Sequence, residues 1–173
     1  MPNTPPETLT LDRVATPVGG VLLVTDAEGA VRALDFADYE PRMMRLLGRH
    51  SPGFALIAGR APETVRRAVE AYFSGEVKAL DGLSVKTGGT TFQRSVWAAL
   101  RVIPAGETRS YGQLAAAIGS PRAVRAAGLA NGQNPVAVIV PCHRVIGANG
   151  TLTGYAGGLE RKRWLLRHEG AAV

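Results

Sequence analysis

Thiols are scarce in this chain of 173 residues, which contains a single cysteine, Cys142. One thiol cannot form an internal disulfide and cannot supply the ligands of a cysteine-rich metal site. Packing, redox sensing and nucleophilic chemistry remain as its uses. Because free cysteine is among the most buried residue types, packing alone is the simplest interpretation of an isolated thiol.

Long apolar runs are also missing. No uninterrupted hydrophobic segment approaches the ~20 residues that a membrane-spanning helix needs. The first six residues, Met1–Pro6, have neither the charged nor the apolar region of a signal peptide. We therefore expect a cytoplasmic protein without a membrane partner, a compartment in which a single thiol stays reduced.

Acidic residues are few in the second half of the chain. Residues 1–85 contain nine Lys/Arg and eleven Asp/Glu, whereas residues 86–173 contain eleven Lys/Arg and only three Asp/Glu. The net charges are therefore −2 and +8, which indicates a polyanionic partner such as nucleic acid for the second half. A solvated basic face without a partner would give the same count.

The first half has the pattern of a small sheet followed by a helix. Segments 8–15, 21–25 and 31–36 are rich in Val, Leu and Thr and are separated by turn-forming residues. An antiparallel meander is the simplest arrangement of these segments. Pro62 and Glu63 then open a helical pattern.

The second half is predicted to be mainly helical. Two short helices over 110–118 and 122–130 are joined by a glycine-containing turn, with Ser120 as the cap of the second. Arg122 and Arg125 lie on that second helix, so the pair is a candidate helix-turn-helix. Helical hairpins of this kind are also common in proteins that do not bind DNA.

These patterns predict an α+β fold in two domains. A small N-terminal α/β domain with an antiparallel sheet occupies residues 1–85, and residues 86–91 form a linker. Residues 92–173 form a mainly helical, winged-helix-like domain that contains the candidate helix-turn-helix.

The chemistry is expected around Cys142, which follows the apolar run Val138–Pro141 and precedes His143. A thiol with an ordinary pKa of ~8.5 is mostly protonated at neutral pH, so a nucleophilic cysteine needs a base or a positive field. Adjacent side chains diverge, and we therefore expect a bridging water between sulfur and ring. Glu169 is the best carboxylate to orient the imidazole. Arg144 adds to the positive field.

Four motifs resemble one family. They are Asn134-Pro135, Pro141–Val145, Tyr155–Leu159 and Trp164–Gly170. Together they are similar to the O6-alkylguanine-DNA alkyltransferases, also called methylated-DNA–protein-cysteine methyltransferases, over about 92–170 and more loosely in the first half. The resemblance implies a ribonuclease-H-like N-terminal domain and direct-reversal DNA repair. In that reaction O6-alkylguanine is flipped out of duplex DNA, and its alkyl group moves irreversibly to Cys142, once per molecule.

The resemblance also assigns roles to individual residues. Cys142 is the alkyl acceptor, His143 the water-linked base, Glu169 its orienting partner and Asn134 a hinge. The expected base-pocket residues are Tyr111, Val145, Tyr155 and Ala156. The expected DNA-binding residues are Arg125, which enters the base stack through the minor groove, and Gln93, Ser120, Arg122 and Arg144.

The resemblance implies no cofactor, no metal and a monomer whose partner is double-stranded DNA. Whether binding is cooperative along DNA and whether O4-alkylthymine is accepted stay open. Some relatives carry serine at the position of Ala156, but the main-chain N–H that contacts the alkylated oxygen is retained. Other members replace the cysteine by tryptophan and bind lesions without repairing them, which Cys142 argues against.

Two other classes of protein remain as alternatives. A DNA-binding regulator that senses redox state or alkylation through Cys142 would bind one operator sequence, normally as a symmetric dimer. A cysteine hydrolase would need an oxyanion hole and a direct thiol–imidazole contact, for which adjacent residues are poorly placed.

Overall fold

The computed structural model describes residues 5–51 and 53–173. Residues 1–4, on which part of the signal-peptide expectation rests, lie outside these ranges. Among the described residues, no helix combines the length and the apolar character that crossing a membrane would require.

The N-terminal half is built on a four-stranded sheet. Strands β1 (Glu7–Val14), β2 (Val21–Thr25) and β3 (Val31–Phe36) form the predicted antiparallel meander. A fourth strand, β4 (Phe54–Ala58), was not expected and pairs with β1 in parallel, giving the order β3-β2-β1-β4. The sheet is therefore mixed, because helix α1 (Glu40–His50) carries the chain across before β4 begins.

The two faces of the sheet pack against different parts of the molecule. Alternate residues of β2 point to opposite faces, so Leu22 packs with Met43 and Leu47 of α1. Leu23 belongs to the larger core, which includes helix α2 (Glu63–Phe73) and much of the second half. The sheet thus lies between α1 and the part of the chain that carries the cysteine.

The second half contains four helices and a short parallel ladder among its described residues. They are α3 (Thr91–Val102), β5 (Arg109–Ser110), α4 (Tyr111–Ala117), α5 (Val124–Gly132), β6 (Val145–Ile146) and α6 (Leu159–His168). A capping box formed by Thr90 and Gln93 starts α3. The α+β fold class is therefore confirmed.

Helices α4 and α5 pack against each other and against α3. Helix α5 begins at Val124 with Ala123 as its N-cap, so Ser120 is not the cap that the sequence suggests. The Ser120 carbonyl instead accepts from the Ala123 N–H at 2.9 Å, and this turn delays the start of the helix. The use of this helix pair as a DNA-binding helix-turn-helix stays a prediction.

Backbone hydrogen bonds join the two halves. Leu34 of β3 donates to the Pro135 carbonyl at 3.2 Å and accepts from Ala137 at 3.0 Å. At the expected linker, Lys86 donates to the Val31 carbonyl at 3.0 Å. The segment that precedes the cysteine is therefore held in register with the N-terminal sheet.

Candidate active site

A strained turn directly precedes Cys142 in the chain. The apolar run before Cys142 is buried, but it forms turns rather than a strand, and Val138 has a φ of 69°. That left-handed conformation is unfavourable for a β-branched residue and costs about 1–3 kcal/mol. The Val140 N–H closes the turn by donating to the Val136 carbonyl at 3.0 Å. Cys142 then begins a single 3₁₀ turn, Cys142–Arg144.

Asn134 fastens both ends of this turn. Its Nδ2 donates to the Val140 carbonyl at 2.8 Å, and its Oδ1 accepts from the Val136 N–H at 2.9 Å. The side chain is almost fully buried. The structure therefore puts Asn134 at the point where a hinge for the cysteine segment would have to be.

A cavity of about 330 Å³ lies beside Cys142. Of the four residues expected to line a base pocket, three do so: Tyr111, Tyr155 and Ala156. The remaining lining residues are Arg42, Gly128, Asn131, Gly132 and Gly154. Val145 is completely buried and is not among the lining residues. The Tyr111 hydroxyl accepts from Thr153 Oγ1 at 3.1 Å, which links α4 to the loop on the other side of the cavity.

His143 and Glu169 form a buried pair. Nε2 of His143 donates to Oε2 of Glu169 at 2.9 Å, and both side chains are fully inaccessible to solvent. Burial lowers the pKa of His143, while the charge of Glu169 opposes that effect. Nδ1 of the ring has no hydrogen-bond partner within the described ranges. With Nε2 as donor, Nδ1 of the neutral ring is the acceptor and can take a proton.

Glu169 accepts hydrogen bonds from three residues. Oε2 accepts from the Tyr72 hydroxyl at 2.6 Å, from His143 and from Nη2 of Arg144 at 2.9 Å, while Oε1 accepts from Nε of Arg144 at 2.8 Å. Burial alone would raise the pKa of Glu169, but the charges and hydrogen bonds of His143 and Arg144 hold it well below its ordinary value. The carboxylate therefore stays ionised although it follows the C-terminus of α6, where the helix dipole disfavours negative charge.

Arg144 is expected both to add to the positive field of the site and to contact DNA, and the structure places it with the first of these roles. It is 5% exposed, and besides Glu169 it donates to the Ile103 carbonyl at 2.6 Å. The 3₁₀ turn directs its side chain inward against the end of α6, and its guanidinium is occupied within the protein. A DNA contact by Arg144 is therefore not supported, and its place is beside the Glu169 carboxylate.

The thiol itself is buried, with 6% of Cys142 exposed. Burial raises the pKa of Cys142, and Asn134, Arg42 and Lys162 only partly oppose that rise. The thiol is thus protonated at neutral pH unless a neighbouring base removes its proton. His143, the next residue of the 3₁₀ turn, is the candidate for that base.

Two cations of the site were not predicted. Lys162 of α6 is completely buried and donates to the carbonyls of Val145 at 2.7 Å and Thr153 at 2.8 Å, and burial lowers its pKa to about 8. Arg42 of α1 donates to the Asn134 carbonyl at 3.2 Å. The only sequence signal for Lys162 is the rarity of lysine: the chain has three lysines and seventeen arginines.

The expected DNA contacts divide into two groups. Arg122 and Arg125 are exposed and form no ion pair with any described residue. Ser120 is half-buried in the turn before α5. Gln93 uses its side-chain oxygen on the Thr90 N–H at 3.0 Å and its amide nitrogen on Gln133 at 2.9 Å. Its geometry is that of a helix cap and does not support a DNA contact.

One cluster of three acidic residues was considered as a possible metal site. Ligand atoms of Glu7, Asp26 and Glu28 lie within 4.8 Å of one another. Arg32 forms ion pairs with Glu7 at 2.6 Å and with Asp26 at 3.3 Å. Two of the three carboxylates therefore already have a cationic partner, and the group is not assigned to a metal.

The fold and the site together define a class: an α+β protein with a buried free cysteine beside a pocket and with exposed arginines at the start of helix α5. Residues 91–171 match the family model described as the DNA-binding domain of 6-O-methylguanine DNA methyltransferase. The methylated-DNA–protein-cysteine methyltransferase of Salmonella typhimurium is 50% identical over 161 residues, which cover 92% of this chain and 94% of the relative. The chain belongs to the methylated-DNA–protein-cysteine methyltransferase family.

Solved structures agree with this assignment. A crystal structure of Mycobacterium tuberculosis O6-methylguanine methyltransferase is 41% identical, with a TM-score of 0.76 over 94% of this chain and 93% of the other. A second, of Mycobacterium tuberculosis OGT in complex with DNA, is 39% identical, with a TM-score of 0.78 over 93% and 92% of the two chains. The family resemblance predicted from the motifs is therefore confirmed.

Proposed function

We propose that this protein repairs DNA by direct reversal, moving an alkyl group from O6 of guanine in duplex DNA to Sγ of Cys142. The observation that carries the proposal is a buried thiol beside a base-sized cavity, directly followed by an imidazole that a buried carboxylate orients. Its relatives are methylated-DNA–protein-cysteine methyltransferases. Both alternatives raised by the sequence, a regulator and a hydrolase, are disfavoured by that membership.

The transfer is a single displacement. The Cys142 proton moves, through a water molecule, to Nδ1 of His143, while Nε2 keeps its hydrogen bond to Glu169. The thiolate attacks the alkyl carbon, an S–C bond forms and the C–O6 bond breaks. The electron pair of that bond leaves on the guanine, which Tyr111 stabilises by hydrogen bonding to the ring. The product is a thioether, which no group in the site can cleave, so each molecule acts once.

DNA binding is assigned to residues 92–173, with α5 as the helix that enters the minor groove. It carries Arg125 among mostly apolar and small residues, with Arg122 in the turn just before it, and it offers few groups for reading base edges. Flipping a base costs a few kcal/mol of stacking and pairing, and Arg125 is proposed to fill the vacated position. This mode of binding suits a repair protein that must act at any sequence.

The proposed displacement requires no residue from a second copy of the chain, and we propose that the protein works as a monomer. The thiol must stay reduced, which fits the cytoplasm. Neither a metal nor an organic cofactor enters the proposed displacement.

The proposal is tested by mass spectrometry of the intact protein. Incubation with duplex DNA that contains O6-methylguanine should replace one hydrogen by one methyl group per chain, at Cys142. The Cys142→Ala variant and an undamaged duplex serve as controls and should give no mass change. An unchanged mass of the wild-type chain would refute the function.

A further inference from the structure

The N-terminal half supplies one donor of the catalytic hydrogen-bond network. Tyr72 of α2 is completely buried, and its hydroxyl donates to Oε2 of Glu169 at 2.6 Å, although 97 positions separate the two residues. Oε2 is the same oxygen that accepts from His143. The tyrosine and the catalytic imidazole therefore share one acceptor atom.

The tyrosine ring is held firmly in place. It packs edge-on against Phe73 at 5.0 Å and against His168 at 5.2 Å. Nε2 of His168 also donates to the Tyr72 carbonyl at 2.6 Å, which ties α2 to α6. Burial raises the pKa of Tyr72, so the hydroxyl remains protonated and acts only as a donor to the carboxylate.

We propose that Tyr72 is a positioning residue of the proton relay, through which the N-terminal half sets the orientation and the proton affinity of the Glu169–His143 pair. This inference rests on the proposed function, since it concerns the base that activates Cys142. It gives the N-terminal half a part in the reaction itself, besides its support of the fold.

The physical reason is the sharing of charge on Oε2. A hydroxyl that donates to a carboxylate disperses its negative charge and lowers its attraction for a proton on the neighbouring imidazole. Without this donor, Oε2 would carry more charge and would stabilise the imidazolium form of His143. The pKa of His143 would rise, and Nδ1 would be available as a base only at higher pH.

The other ionisable groups of this region come from several elements. They are Cys142, His143 and Arg144 of the 3₁₀ turn, Lys162 and His168 of α6, Glu169 after it, and Tyr155 of the glycine-rich loop, residues 154–158. Arg144 and Lys162 oppose positive charge on His143. Both remain in place when the Tyr72 hydroxyl is removed, so they do not account for a change that this removal causes.

The test is the pH profile of single-turnover methyl transfer in the Tyr72→Phe variant. Removing the hydroxyl should slow transfer about three- to tenfold, because Glu169 loses a donor that fixes its position and the imidazole is then oriented less precisely; this is the range that one lost hydrogen bond to a charged group allows. The acid limb of the profile should move to higher pH. The affinity for undamaged duplex should not change, because Tyr72 is buried away from solvent.

Tyr39→Phe is the matched control. Tyr39 lies in the same half of the chain and is partly buried near Arg161. Its substitution by Phe also removes one hydroxyl, but from a position outside the relay. It should keep the wild-type rate and pH profile. Incorporation of 3-fluorotyrosine at position 72 provides a second variant that retains the ring and the hydroxyl. Because fluorine makes the hydroxyl a stronger donor, the acid limb should then move to lower pH.

The outcomes separate this inference from the proposed function. A Tyr72→Phe variant with the wild-type rate and profile would overturn the role of Tyr72 while leaving the function intact. An equal loss of rate at every pH, without displacement of the acid limb in either variant, would reduce Tyr72 to a packing residue and overturn the proposal as well. Failure of the wild-type chain to take up methyl would instead refute the function.

Discussion

The two halves of the chain contribute to the site in different ways. The basic C-terminal half supplies the thiol and the imidazole, which are neighbours in sequence, and the carboxylate 26 positions after the imidazole. The N-terminal half supplies side chains that brace them: Tyr72 donates to Glu169, and Arg42 donates to the Asn134 carbonyl. The reactive groups and the side chains that support them therefore need not belong to the same half. This holds although the two halves differ in net charge, −2 against +8.

The largest expected effect comes from Glu169→Gln, which removes the charge of the carboxylate that Tyr72 of the N-terminal half contacts. His143 would lose its charged partner, and transfer should fall about 100-fold or more. Arg144 would be left buried without a counter-charge, at a cost of about 3–5 kcal/mol in the free energy of unfolding. Single-turnover kinetics and urea unfolding measure the two effects.

Glu160→Gln is the control for this variant, because Glu160 is an exposed acid in the first turn of the same helix. It should lose at most about 1 kcal/mol and retain transfer. The pKa of Glu169 is lowered in the folded state, so its stabilisation is present above its unfolded pKa of ~4.3 and is lost as pH falls further. The stability difference between wild type and Glu169→Gln should therefore shrink as the pH falls below about 4. Equal losses of transfer and DNA affinity would indicate that Glu169 serves folding alone.

Local signals in the sequence predict most of the C-terminal half. Thr90 and Thr91 are both candidate caps that predict the start of α3, and the structure uses Thr90. The helical spacing after Gly158 predicts a helix over Leu159–His168, which are the bounds that the structure has. The pairing of Cys142 with His143 is visible because the two are neighbours, and Glu169 stands out because acids are rare there. Each of these predictions depends on residues within a few positions of one another, or on composition.

The supports of the site could not be predicted in the same way. Tyr72 looks like a core residue of an amphipathic helix, and nothing local indicates a partner 97 positions away. Arg144 looks like one more basic residue of a DNA-binding surface until the 3₁₀ turn directs it inward. The parallel strand β4 depends on the path of α1 across the sheet, which composition does not determine. All three depend on tertiary contacts.

A smaller loss of stability is expected from a substitution where the glycine-rich loop contacts strand β3 of the N-terminal half. A Cβ at Gly157 would lie 2.5 Å from Cε2 of Phe36, a residue of β3 that is fully buried. Gly157→Ala should therefore destabilise the protein by about 1–3 kcal/mol, the usual cost of overpacking. Thermal unfolding measures the loss, and Gly82→Ala, which meets nothing within 4 Å, is the control. A Gly157→Ala variant as stable as the control would show that the loop can move away from β3 freely.

The smallest of these effects is expected at the exposed surface, where the N-terminal half takes no part. Arg125→Ala should slow transfer from duplex DNA about tenfold, equivalent to ~1.4 kcal/mol, because the flipped state loses the side chain proposed to fill the stack. Transfer from the free base O6-methylguanine should be unchanged, since that substrate needs no flipping. Arg163→Ala removes the same charge from an exposed position on α6 and should affect duplex transfer less. An equal loss of rate with both substrates would mean that Arg125 supports the pocket. The DNA-binding surface would then not be independent of the buried site that the N-terminal half supports.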